Sequence, residues 1–257
     1  QYKVFGNLFF DRFAHLFHSC KSRYYLNSHT KNAKKCDVGL KNTGCLPMLT
    51  PKMAIFAVTI ITINQIENMA KVYQFMADGF EDIEALAPVD ILRRGGLDVK
   101  TVSIMGRELV ESANGVCVKA DMLFENANFD DADLLLLPGG LPGSTNLKEH
   151  KGLAEVLRRQ AESGQKIGAI CAAPMVLGTL GLLQGKRATC YPGVEHTLHG
   201  AEYTAELVTV DGNIITGEGP AAALPYAYTL LALLVGRDKA DEIEVAMRYK
   251  HLMAERL

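Results

Sequence analysis

One cysteine, Cys171, stands where a short apolar segment, 167–170, gives way to Ala172, Ala173 and Pro174. The apolar run predicts a buried strand, and proline is tolerated in the first turn of a helix because its missing N–H needs no partner there. This order predicts a nucleophile elbow, which pushes the side chain out at the carboxyl end of a strand above helix N-terminal amides. Those amides would stabilise a thiolate. The alternative is a small cysteine buried beneath the helix, because free cysteines are among the most buried residues.

A carboxyl group, Glu84, is the second candidate for chemistry. It lies about one turn into the helix predicted after the first strand, between the apolar residues Ile83, Ala85 and Leu86. This setting predicts partial burial, which raises the pKa of a carboxyl and allows it to give or take a proton near neutral pH. The alternative is an ordinary surface glutamate.

Two glycines, Gly139 and Gly140, follow the apolar segment 133–137. Glycine lets the chain approach a ligand closely, so their backbone amides could stabilise an anion; the alternative is a tight turn. Sites in parallel sheets form at the carboxyl ends of strands. We therefore expect the loop after the first strand, the glycine pair and Cys171 to meet.

Strand and helix patterns alternate from Met69 onward. The predicted strands are 71–76, 98–104, 133–137, 167–170, 207–210 and 214–216, with a hairpin over 107–122 that turns at Asn114-Gly115. The predicted helices follow the first strand (with a kink at Pro88), cover 153–163, run from Gly217 to Val235 and run from Lys239 to about Met253. This alternation predicts an α/β fold, with a mostly parallel sheet and helices on both faces.

The charge of the chain divides it into two parts. Residues 1–68 carry nine Lys and Arg against three Asp and Glu, whereas residues 69–257 carry 18 against 26. Residues 1–68 also lack a sustained period, and they are read as a non-domain extension with three alternatives. The alternatives are a targeting or anchoring segment, a poorly ordered extension, and sequence upstream of a true start at Met69. We favour the last of these. Residues 69–257 are the predicted domain.

Composition excludes several classes of function. The acidic body argues against a specific nucleic-acid partner, and the apolar run 53–63 is too short to span a bilayer, so no membrane partner is expected. The six cysteines form no C-x-x-C pair, so neither a metal site nor a disulfide framework is indicated. A reducing, cytoplasmic setting is expected. No Gly-x-x-x-x-Gly-Lys-Ser/Thr loop supports a kinase.

Four segments together resemble the DJ-1/PfpI (ThiJ-like) family, closest to its small single-domain branch. They read DGFEDIEALAPVDILRRGG, DLLLLPGGLPGSTNL, GAICAAPMVLGTLGLLQGKRAT and ITGEGPAAALPYAYTLLALLVG. The resemblance covers about 71–253 in the right order. It implies a flavodoxin-like α/β sandwich similar to class I glutamine amidotransferases, usually a homodimer, with no cofactor.

The resemblance also assigns roles. Cys171 would be the reactive, oxidation-prone cysteine, Glu84 the protonated glutamate hydrogen-bonded to it, and Gly140 with the amide of Ala172 the oxyanion pocket, next to Gly139. This chain departs from the family where some members have a histidine, because Tyr191 stands there; Tyr191 and the downstream His196 remain auxiliary candidates.

Further departures affect the expected chemistry. The protease-like branch has a histidine directly after its cysteine, where this chain has Ala172, so a Cys–His peptidase is not expected. Arginines found in relatives are replaced by the segment 112–114 and by Glu218. The Cys171/Glu84 pair is intact.

The resemblance implies an enzyme of carbonyl and oxidative stress defence. Without a cofactor, Cys171 would attack an α-oxoaldehyde such as methylglyoxal or a glycated adduct, as in glyoxalase-III-like enzymes and deglycases, and Glu84 would shuttle the proton. The alternative is a redox sensor or holding chaperone that uses the oxidation of Cys171 without turnover. A flavodoxin-like sheet does not by itself imply a flavin.

Overall fold

The central sheet is built from the apolar segments of the chain. The structure, a computed structural model, describes residues 69–255; the predictions for residues 1–68 lie outside this range. Seven strands pair in the order β10 (Val208–Asp211), β11 (Ile214–Gly217), β7 (Lys166–Ile170), β6 (Leu134–Leu137), β1 (Lys71–Met76), β2 (Asp98–Ser103) and β5 (Met122–Leu123). All neighbours are parallel except β10 and β11, which form an antiparallel hairpin. The predicted α/β sandwich with a mostly parallel sheet is confirmed.

The elements follow one another along the chain with short connections. The strands are β1 (Lys71–Met76), β2 (Asp98–Ser103), β3 (Leu109–Glu111), β4 (Cys117–Lys119), β5 (Met122–Leu123), β6 (Leu134–Leu137), β7 (Lys166–Ile170), β8 (Arg187–Ala188), β9 (Glu202–Tyr203), β10 (Val208–Asp211) and β11 (Ile214–Gly217). The helices are α1 (Asp82–Arg94), α2 (Gly143–Glu149), α3 (Lys151–Glu162), α4 (Pro174–Thr179), α5 (Ala223–Val235), α6 (Arg237–Ala246) and α7 (Tyr249–Ala254).

Helices cover both faces of the sheet and create two cores. On one face, α3 and α4 pack residues such as Leu157 and Leu177 against the sheet. On the other face, α1, α5 and α6 contribute residues such as Ile91 and Leu231. The strand β6 lies between them with all four leucines buried, as expected of a central parallel strand. None of the helices between residues 69 and 255 has the length and apolar character needed to cross a membrane.

Two predicted helices differ from the observed ones. The helix after Cys171 begins at Pro174, not at Ala172, and has only six residues. The last predicted helix is two helices, α6 and α7, because Arg248 has φ 63 and interrupts the right-handed backbone.

Candidate active site

The backbone of Cys171 forms a sharp turn between β7 and α4. Cys171 has φ 63, in the left-handed region that residues other than glycine seldom adopt. Its own hydrogen bonds hold it there: its N–H donates to Gly217 O at 2.9 Å, and its carbonyl accepts from Tyr191 N at 2.9 Å. The side chain is partly buried. The predicted elbow geometry is therefore present.

The loops after β1 and β6 press against each other beside this cysteine. Glu81 N donates to Gly139 O at 3.0 Å, and Gly143 N donates to Gly79 O at 3.2 Å. A Cβ at Gly140, which has φ +88, would lie 2.5 Å from both Glu81 N and Gly79 O. Glycine is required at this position because backbone atoms occupy the space of any side chain. The three predicted loops meet at one edge of the sheet.

The carboxyl group of Glu84 is completely buried, so the surface alternative is wrong. Its Oε2 accepts a hydrogen bond from Gly139 N at 2.9 Å, and its backbone N–H donates to the side chain of Glu81, the N-cap of α1. Pro88 lies four residues later and has no N–H to donate to the Glu84 carbonyl. The residue is therefore fixed in the first turn of a helix that begins at the site.

Gly139 lies against both Glu84 and Cys171 and leaves no room for a side chain of its own. A Cβ at this position would lie 2.6 Å from Cys171 Cβ and would also overlap Glu84 Oε2. The carboxyl and the thiol are thus side by side, with the glycine backbone between them. Gly139 was predicted to face an anion, but its amide is occupied by the Glu84 carboxylate and positions that side chain.

The environment raises the pKa of both groups. Burial raises the pKa of Glu84 to about 7, with the charge of Glu81 acting in the same direction and hydrogen bonds to Cys171 and Gly139 opposing it. Burial, followed by the charge of Glu84, raises the pKa of the Cys171 thiol to about 12, against the hydrogen bonds from the Gly140 and Ala172 amides.

The expected thiolate depends on where the pair of Cys171 and Glu84 keeps its shared proton, and it stays a prediction. Amides do lower the pKa of the thiol, but its burial and the adjacent carboxylate outweigh them. Two such groups lose their protons in two steps that belong to the pair. Above about pH 7 the pair therefore holds one proton between the sulfur and the carboxylate, and a thiolate forms only when that proton moves to Glu84.

The backbone amides of Gly140 and Ala172 lower the pKa of the Cys171 thiol, so both act on the sulfur. The resemblance assigns these two amides to the oxyanion pocket, and that role stays a prediction, because an oxyanion donor must point at the oxygen of the substrate rather than at the sulfur. The two amides come from the glycine turn after β6 and from the residue directly after the elbow.

The two auxiliary candidates lie on the segment after β8. Tyr191 is joined to the site through its backbone N–H, while its half-exposed ring lies against Gly219. His196 is exposed in a short 3-10 turn, Glu195–Thr197. Tyr191 therefore borders the site, and no described contact connects His196 to it.

Two buried polar residues beneath the site were missed by the sequence reasoning. Gln74 and Tyr226 are almost completely buried in segments that are otherwise apolar. The signal was available, because a glutamine in the middle of the strand KVYQFM breaks an apolar pattern. No cluster of three or more potential metal ligands occurs within residues 69–255.

The fold and the cysteine elbow define a class of α/β protein with a nucleophile at the carboxyl end of a parallel sheet. The model of the DJ-1/PfpI family matches residues 70–233, and the chain belongs to this family.

Two plant relatives are longer than the matched region. Protein DJ-1 homolog B and homolog A of Arabidopsis thaliana are 39% and 40% identical over 65% of this chain, which covers 39% and 44% of their length. The chain therefore spans less than half of these relatives. The Parkinson disease protein 7 homolog of Danio rerio is 34% identical over 68% of this chain and 95% of its own.

One solved structure and two relatives that are named as enzymes are also similar to this chain. Oxidized Toxoplasma gondii DJ-1 superposes with a TM-score of 0.67 and 35% identity over 69% of this chain and 97% of its own. A glutathione-independent glyoxalase of Caenorhabditis elegans is 33% identical, over 63% of this chain and 87% of its own. A deglycase of Pyrococcus abyssi is 32% identical, over 62% and 95%.

Proposed function

We propose that the protein is a cofactor-independent enzyme that converts reactive carbonyls, in particular α-oxoaldehydes and their glycated adducts, through a covalent adduct on Cys171. The observation that carries the proposal is the contact between a strained, partly buried thiol and a fully buried carboxyl. A nucleophile beside a group able to move protons near neutral pH is the arrangement that covalent catalysis needs. Relatives named glyoxalase and deglycase support the same chemistry.

The first step forms a carbon–sulfur bond. Cys171 sulfur attacks the aldehyde carbon of methylglyoxal while its proton passes to Glu84, and the carbonyl oxygen becomes the hydroxyl of a hemithioacetal once it receives that proton. We assign the stabilisation of the developing oxyanion to the amides of Gly140 and Ala172, which act on the neighbouring sulfur. The pKa of Glu84, about 7, suits a group that accepts and returns a proton near neutral pH.

The remaining steps move hydrogen without an external oxidant. Glu84 removes the proton from the former aldehyde carbon to give an enediol, and it delivers a proton to the neighbouring carbon. The first carbon is thereby oxidised to a thioester and the second reduced to an alcohol. Water then cleaves the thioester, which releases lactate and restores the thiol. The balance is one methylglyoxal and one water to one lactate and one proton.

Turnover of methylglyoxal by the full chain tests the proposal. Lactate formation is followed without glutathione or added cofactor for the parent, Cys171→Ser and Glu84→Gln. We expect a loss of at least about 100-fold in each variant, the usual range for a general acid–base, and more for the nucleophile. Cys190→Ala is the matched control for a cysteine elsewhere. Turnover that survives Cys171→Ser would overturn the proposal, and so would an inactive parent whose Cys171 alkylates normally.

The second candidate function is a redox sensor or holding chaperone. The amides that lower the pKa of this partly buried thiol would also stabilise the oxygens of a sulfenic or sulfinic acid. An inactive parent in which dilute peroxide oxidises Cys171 before Cys117 would favour this function.

The proposal includes a second copy of the chain as partner and a cytoplasmic, reducing setting. Ile83 and Leu86 are exposed on α1 directly beside Glu84, and a dimer contact would remove this apolar surface from water. Sedimentation of the parent and of Ile83→Glu tests the contact: a dimer that becomes a monomer supports it, and a monomeric parent contradicts it.

A further inference from the structure

Three side chains under the Cys171 loop bury polar atoms that have no partner among the described residues. They are both amide atoms of Gln74, Oε1 of Glu84 and the hydroxyl of Tyr226. We call these three residues the buried polar layer. Buried polar groups are nearly always hydrogen-bonded in folded proteins. Three residues with orphaned atoms in one part of a core therefore point to a shared hydrogen-bonding role.

The register of the sheet places these residues on one face. Gln74 on β1 pairs with Leu136 on β6, and Leu136 pairs with Gly168 on β7. Tyr226 reaches across from α5, and its hydroxyl occupies the space that a side chain at Gly168 would fill. Glu84 enters from α1, which packs on the same face as α5. The glycine at 168 thus admits a hydroxyl into the layer between the sheet and the two helices.

The groups of the layer act on one another electrostatically. After burial, the charge of Glu84 is the next cause that raises the pKa of the Tyr226 phenol. The titratable side chains that act on Glu84 itself come from the elbow and the helix cap: Cys171 after β7 and Glu81 at the N-cap of α1. Tyr226 on α5 and Gln74 on β1 contribute uncharged polar groups on the same face of the sheet.

We propose that Tyr226, together with Gln74, is a positioning residue that sets the protonation of Glu84 and through it the reactivity of Cys171. The phenol and the amide N–H groups act on Glu84 Oε1 through a buried water, because such waters satisfy buried polar groups that lack a protein partner. Donors to a carboxylate favour its charged form. An apolar layer in their place would hold Glu84 protonated to a higher pH.

This inference rests on the proposed function only for the catalytic role it gives to Glu84, because the experiment measures the ionisation of the Glu84 carboxyl directly. The carboxyl ¹³C resonance of Glu84 is titrated in the full chain, with Glu84→Gln to assign it, for the parent, Tyr226→Phe and Gln74→Leu. We expect the midpoint to rise by about one pH unit in each variant, the size of one hydrogen bond to a charged group. The pH dependence of Cys171 alkylation by iodoacetamide should move in the same direction.

Tyr228→Phe is the matched control. Tyr228 is also buried on α5, but its hydroxyl bonds to Met247 Sδ at 3.4 Å and not to the site. Its loss should change stability and leave the Glu84 midpoint in place. An unchanged midpoint in both Tyr226→Phe and Gln74→Leu would overturn the inference. If the parent does not turn over aldehydes but the Glu84 midpoint shifts in the two variants, the result would support this inference and contradict only the proposed function.

Discussion

Cys171 and Cys190 lie on adjoining segments, joined by the hydrogen bond from Tyr191 N to the Cys171 carbonyl. Burial raises the pKa of both thiols to about 12. Their surroundings nevertheless differ, because Cys190 is fully enclosed whereas Cys171 is partly exposed on a left-handed backbone beside a carboxyl and two amides. The comparison teaches that the pKa of a thiol alone does not identify a nucleophile. A nucleophile is identified instead by a neighbouring proton acceptor and by the access of a reagent to the sulfur.

Alkylation rates give the largest expected difference between the two cysteines. In the native full chain, iodoacetamide should label Cys171 at least about 1000-fold faster than Cys190, because a fully enclosed thiol reacts only after the surrounding core opens. Peptide masses after timed quenching measure both rates, and labelling in urea should make them equal. Comparable rates in the native protein would end the distinction between the two cysteines.

Substitution of Gly140 tests the close packing of the loops after β1 and β6 beside Cys171. We expect Gly140→Ala to lower the free energy of unfolding by at least about 3 kcal/mol, from left-handed strain plus overpacking against backbone atoms. Gly164→Ala is the control, because Gly164 has φ +75 with open space around it, and it should lose about 1 kcal/mol. Urea unfolding measures both. Equal losses would show that the two loops do not constrain each other.

The pH dependence of the free energy of unfolding should reflect the ionisation of Glu84 and not that of Cys190. The pKa of Glu84 rises from an ordinary 4.5 to about 7 on folding. Between these values the unfolded chain has released a proton that the folded chain keeps, so stability falls as pH rises. This contribution is present below pH 4.5 and lost above pH 7, and it amounts to about 3 kcal/mol.

Glu84→Gln removes this dependence. Relative to the parent, the variant should gain about 3 kcal/mol in free energy of unfolding between pH 4 and pH 8, as measured by urea unfolding at each pH. Cys190→Ala should follow the pH dependence of the parent. A parent and a Glu84→Gln variant whose difference is constant with pH would show that the pKa of Glu84 is not raised.

Removal of the enclosed thiol gives the smallest expected effect. Cys190→Ala should cost about 1 kcal/mol of stability, as for a small buried group, and leave aldehyde turnover within about twofold. Urea unfolding and lactate formation measure the two quantities. A loss of turnover similar to that of Cys171→Ser would place Cys190 in the chemistry.

The sequence predicted the parts of the site that depend on local pattern. An apolar run followed by Cys171 and Pro174 specifies a strand, a turn and a helix start, and the observed strand β7 follows it closely. Apolar and charged periodicity likewise located α3 and the hairpin of β10 and β11. These features need only a few adjacent residues, so one sequence can indicate them.

Features that depend on distant contacts were beyond the sequence. The loop after β6 contacts the Glu84 carboxyl and accompanies its complete burial, and the pKa of Cys171 is raised by the burial of the thiol and then by the charge of Glu84. The break at Arg248 has no glycine or proline to announce it.

The left-handed backbone at Cys171 has a consequence for how the chain could change over generations. A residue with a Cβ pays about 1–2 kcal/mol for this conformation, and glycine would adopt it without strain. Mutation toward glycine at this position would therefore relieve strain in the fold while removing the sulfur. A lineage selected for thermal robustness alone would be expected to drift toward that substitution, whereas one that still needs the thiol would retain the strained cysteine.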